Sequence, residues 1–120
     1  MNLLDHADLL LRGRSDTVKP GVPGLWPRAA AFLIRLALEE ALASFWKRSA
    51  PGVETCTMRA QLLCLMAYTD VDTARIAAGA WGALSAACHY HSYELAPTFT
   101  ELRTLYLEVT TVATKLSPPV

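Results

Sequence analysis

Trp81–Glu101 reads WGALSAACHYHSYELAPTFTE. Its first half is small and apolar, its middle carries two histidines and two tyrosines, and its end holds Pro97 and then Thr98-Phe99-Thr100-Glu101. A threonine three residues before a glutamate, ahead of an apolar run, is a capping box, so a new helix starts there. The stretch predicts one helix running into a corner and a second leaving it. Downstream, Phe99, Leu102, Leu105, Tyr106, Val109, Val112, Ala113 and Leu116 keep helical spacing until Ser117-Pro118-Pro119 ends the run. Upstream, Asp70 is placed to cap a helix with Ala77, Trp81, Leu84 and Cys88 on one face and His91 at its edge. Gly79 and Gly82 inside that helix each cost about 1 kcal/mol relative to alanine. We expect close approach of neighbouring helices to offset this, which would put this helix at the centre of the fold.

Further upstream, Thr57 caps a short helix through Met58, Gln61, Leu62, Leu65 and Met66. Pro27 suits the first turn of a longer helix, where its missing N–H costs nothing. That helix reaches about Arg48, where Ser49-Ala50-Pro51-Gly52 stops it, and its core side is Ala31, Ile34, Leu38, Ala41, Leu42 and Phe45. Leu3, Leu4, Ala7, Leu10 and Leu11 give a first helix over about 2–12, and a Pro/Gly-rich loop fills 13–27. No alternating period-two run stands out. The expected fold is all-α: one domain over 1–120, an up-and-down bundle of four main helices plus a short one.

Of 120 residues, 52% are hydrophobic and 18% charged, so surplus apolar surface should be covered by a protein partner or a second copy. Lys+Arg and Asp+Glu balance at 11 each, which gives no global electrostatic footprint for nucleic acid. Three cysteines (Cys56, Cys64, Cys88) without CxxC spacing read as buried free thiols in a reducing cytoplasm. The first residues place acids before the apolar run, unlike a signal peptide. Ile76–Tyr93 lacks formal charges, but its Ala, Gly, Ser and His content suits an interior helix, so no membrane partner is expected.

Candidate chemistry gathers at the corner. His89 and His91 are two apart and diverge by about 200° on a helix, so they cannot share a metal while helical. No metal and no cofactor is expected. A histidine at a helix end instead suits the last free carbonyls, with Tyr90 and Tyr93 tying their hydroxyls to the same corner. A histidine beside an arginine can take a proton from a ribose hydroxyl while the arginine steadies the phosphate. Arg75 lies about 21 Å from His89 along one helix, so it cannot serve, and Arg103 could reach a histidine only through tertiary packing. On the second helix, Arg28, Arg35 and Glu39 form one polar stripe and Glu40, Ser44 and Lys47 another, with Phe32, Leu36 and Ala43 between. An apolar strip bracketed by charges fits a partner-binding face and equally fits a second core contact within the domain. Trp46, Trp81 and Met66 offer a third option, an apolar ligand site in the core.

RAAAFLIRLALEEALASFW in the second helix and LSAACHYHSYEL at the end of the late helix resemble the HEPN superfamily of small α-helical domains. The resemblance covers most of residues 27–116. It implies a HEPN-like helical bundle and, for active members, metal-independent ribonuclease activity in toxin–antitoxin or phage-defence systems. Their arginine followed four to six residues later by a histidine has no counterpart here, since the histidines are only His6, His89 and His91. The expectation is therefore a non-catalytic, homodimeric interaction module with RNA or a protein as partner. Its binding set is His89, His91, Tyr93, Arg28, Phe32, Arg35 and Leu36. The alternative is a ribonuclease with a rearranged site drawn from His89, His91, Arg75 and Arg103.

Overall fold

A computed structural model describes residues 2–12, 25–89 and 96–119. Among these the order is α1 (Leu3–Leu11), α2 (Leu25–Ser49), a 3-10 turn (Val53–Thr55), α3 (Met58–Leu65), α4 (Val71–Cys88) and α5 (Phe99–Leu116), with no strand. Four of the helix starts are fixed by side-chain acceptors. Asn2 and Asp5 exchange hydrogen bonds at 2.8 and 3.2 Å, and Thr98 and Glu101 do so at 3.1 and 3.2 Å. Thr57 accepts from the Ala60 N–H, and Asp70 from the Thr73 N–H. A threonine cap of this kind is worth about 1 kcal/mol against alanine. The Thr73 hydroxyl also donates to Asp70 at 2.7 Å and, with the backbone N–H, holds that carboxyl below its ordinary value. The helix of α2 begins two residues before Pro27, so the loop expected over 13–27 gives up its last three residues; 13–24 lie outside the described residues.

Long-range contacts set the directions of the helices. Near the start of α2, the Arg28 guanidinium donates to the carbonyls of Ala87 and His89, so α4 ends where α2 begins. Near the end of α2, Arg48 donates to the Leu116 carbonyl, so α5 ends where α2 ends. Asp8 near the end of α1 pairs with Arg103 near the start of α5 at 3.1 Å. The four long elements therefore run up, down, up, down. Helix α2 packs on α1, α4 and α5, and α5 packs on α1, α2 and α4, so α2 and α5 form the inner pair; α3 leans chiefly on α4.

The core follows from the apolar spacing. Ala30, Ala31, Ile34, Leu38, Leu42 and Trp46 of α2 are fully buried against Leu102, Val109 and Val112 of α5 and Leu84 of α4. Trp46 is held edge-to-face by Phe45 at 5.1 Å and Tyr68 at 5.2 Å between ring centroids. Expected core members Ala41 and Phe45 are only half-buried.

The glycine-bearing helix is not the central one. Helix α4 buries Thr73, Ala74, Ala77, Ala80 and Leu84, and it is these alanines that permit close packing. Gly79 and Gly82 lie on the opposite, exposed side, where an added Cβ would meet nothing within 4 Å. The thiols also differ from expectation: Cys56 and Cys64 are exposed and Cys88 half-buried, all unpaired. The apolar positions of short α3 are too many for one buried stripe, and the turn before it carries Cys56 outward. No helix of the described residues is long and apolar enough to cross a membrane.

Candidate interaction surface

The polar stripe of α2 faces α4. Arg28 spends its guanidinium on the two carbonyls at the end of α4. A cation there complements the negative end of the helix dipole. Of the corner histidines expected in that role, His91 lies outside the described residues; Arg28, from a helix far away in sequence, places a cation at these carbonyls. Arg35 pairs with Glu39 at 2.9 Å and lies 5.8 Å from the Trp81 ring centroid. Glu39 raises the Arg35 pKa above its usual range, and hydrogen bonding to the Cys88 side chain adds to the effect. Phe32 lies beside this stripe and is 52% exposed, while Leu36 is half-buried.

His89 is exposed and occupies the C-cap position of α4, its carbonyl accepting from Arg28. His91 and Tyr93, together with Tyr90, lie outside the described residues. Arg75 is exposed near the start of α4, at the far end of that helix from His89. Arg103 is half-buried, ion-paired to Asp8 and within 5.2 Å of the Tyr106 ring centroid. Its hydrogen bond is the main reason the Asp8 carboxyl lies below its ordinary value. The described part of the candidate set therefore divides among three places: Arg28, Phe32, Arg35 and Leu36 of α2 with His89 beside the C-terminal half of α4, Arg75 at the start of α4, and Arg103 on α5 against Asp8. Among the described residues no three His, Cys, Asp or Glu side chains gather as a metal site would need.

An open apolar feature lies elsewhere, between α3 and α4. A groove of about 440 Å³ is floored by Leu62, Leu63, Met66, Val71, Ala74 and Trp81. Leu63 is 68% exposed and Met66 57%. Arg59 and Arg75 stand at the rim, and neither has a hydrogen-bonding or ionic partner among the described residues. No acidic side chain lines the groove. Trp46, Trp81 and Met66 do not converge on an internal ligand site: Trp46 is sealed in the core, while the other two face this groove. The groove had a sequence signal. In MRAQLLCLM the apolar residues exceed what an eight-residue helix can bury on one side, and Arg59 has no acid three or four residues away on its helix.

No family model matches the chain, and no curated protein or solved structure is significantly similar to it.

Proposed function

We propose that the chain is a non-catalytic helical docking module that receives a protein partner in the α3–α4 groove. One observation carries this: a long apolar trough stands open to water, with unpartnered arginines at its rim. Contiguous apolar surface of this kind marks an interaction site, and fully covering a leucine or methionine side chain is worth about 1.5–3 kcal/mol. Paired arginines beside apolar anchors favour a partner that offers acids around an apolar knob. The HEPN resemblance is compatible with a scaffold role of this type.

The ribonuclease alternative needs an arginine at liberty beside a histidine. Arg35 and Arg103 are committed to carboxylates, and Arg28 to backbone carbonyls next to His89. That leaves the general-base pairing without its cation at the described end of α4.

A photo-crosslinking amino acid at position 63 tests the proposal in cells. A discrete protein adduct should form from this position, vanish when Met66→Glu is added, and be missing when the crosslinker replaces Lys115, which is exposed on α5. No adduct from position 63, or one indifferent to Met66→Glu, refutes it.

A further inference from the structure

We infer that the groove seats an amphipathic helix of a different protein, one whose apolar side is flanked on both margins by aspartate or glutamate. This rests on the docking role proposed for the groove and adds the shape and charge of its occupant. Both walls are helical stripes. On α3, Arg59, Leu62, Leu63 and Met66 recur at the i, i+3, i+4, i+7 spacing of one face, and Val71, Ala74, Arg75 and Ala78 repeat that spacing on α4. A trough between two such stripes has the profile that a third helix fills, ridge into groove. An extended segment fits it less well, because no strand edge exists among the described residues for one to pair with.

Length points the same way. Helix α3 has 8 residues and α4 has 18, so α4 runs on past the wall that α3 supplies. At 100° per residue, the line through Val71, Arg75 and Ala78 continues over Gly82 to Ala86, and all five are exposed. From Val71 to Ala86 it measures about 22 Å, the length of a helix of about 15 residues. Gly79 borders this line, and a Cβ added there or at Gly82 meets nothing within 4 Å. Within the chain nothing offsets the helix-propensity cost of these glycines; the backbone of a second helix packed close above them would.

Charge selects which helix. Arg59 is the second residue of α3, where the helix dipole disfavours a cation, and no acid of the chain compensates it. Arg75 has Asp72 one turn before it, but Asp72 lies about 100° from Val71 around α4, outside the groove, and forms no ion pair with Arg75. With no acid in its lining, the groove leaves the counter-charges to its occupant. The two arginines stand on opposite walls, one on α3 and one on α4, so the acids belong on both margins of the incoming apolar face. A second copy laid along its own α4 would set Arg75 against Arg75, which rules this chain out as the source of that helix.

Selection from a phage-displayed library of random peptides of about 16 residues, with the whole chain as bait, tests this. Enriched sequences should carry apolar residues at i, i+3 or i+4, and i+7 with Asp or Glu on either side, and the synthetic peptides should become helical on binding. Arg59→Glu combined with Arg75→Glu should invert the selected flanks to Lys and Arg. Gly82→Leu, which has room in the free chain, should keep the helical circular dichroism and weaken the selected peptides about tenfold or more. Enrichment of nothing, of sequences without helical spacing, or of flanks indifferent to the double reversal overturns the inference. So does pelleting with phosphatidylserine vesicles that the reversal abolishes, which assigns the groove to a lipid surface, or a mass of twice 13.1 kDa that it abolishes, which assigns it to a second copy. In each of these cases a Met66-dependent protein adduct from position 63 leaves the docking role standing, whereas loss of that adduct removes both.

Discussion

Trp46→Phe tests the core more sharply than the usual truncation. The Trp46 side chain is fully buried, wedged between Phe45 and Tyr68, and its indole N–H is shielded from water without an acceptor. Truncation to alanine should cost about 3–5 kcal/mol, the range for large aromatic side chains in cores. Phenylalanine keeps the packed ring and removes the equivalent of roughly two methylenes, about 1.6 kcal/mol of transfer energy plus a small cavity. Against that, it also removes a buried unpaired donor, whose desolvation costs about 1–3 kcal/mol. The two nearly cancel, so Trp46→Phe should fall within about 1 kcal/mol of the parent, or roughly 4 °C in Tm for a domain of this size. Urea unfolding followed by circular dichroism measures it, with both variants compared at equal denaturant slope. A loss above about 2.5 kcal/mol for Trp46→Phe, with the slope unchanged, would mean that the indole N–H is satisfied and the packing account is wrong.

Three further outcomes follow from contacts described above. Asp8 and Asp70 both have folded pKa values below the unfolded ones, so their contribution is complete above the ordinary carboxylate pKa and lost as pH falls through the depressed folded values; Asp8→Asn should flatten the acid limb of stability against pH. Arg28→Met should cost about 1.5–3 kcal/mol by leaving two carbonyls uncapped, and should speed amide exchange over the last turn of α4 while sparing α1. A thiol-reactive disulfide reagent should modify Cys56 and Cys64 quickly in the native protein and Cys88 far more slowly, since only the first two are exposed; three equal rates would contradict that burial.

Helix identity was legible because it is written locally. Thr57, Asp70 and Thr98 cap the helices they were expected to cap, and the apolar period of α5 lands on five buried residues from Leu102 to Leu116. The position of α4 was not legible. Two glycines in a helix signal close approach without saying whether the neighbour belongs to the same chain, and here the buried side is built from alanines. The capping of α4 by Arg28 joins positions 59 and 61 residues apart, a distance no local spacing encodes. The arginine stripe of α2 was readable as a stripe, yet only packing could decide that it meets α4. The α3–α4 groove was half legible, since its surplus leucines were visible but the face left bare depends on how short α3 lies against its neighbour.

The inner pair, α2 and α5, also dictates timing during synthesis. Among the described helices the partner that seals α2 is the last to leave the ribosome, complete about 67 residues after α2, which at about 5–20 residues per second is roughly 3–13 seconds. Helix α1 emerges first, but its Asp8 has to wait for Arg103, and Ala7 and Leu11 have only part of their final surroundings until then. The newborn chain therefore carries the α5-facing side of α2 uncovered until α5 emerges, and slowing elongation should raise its dependence on chaperone shielding.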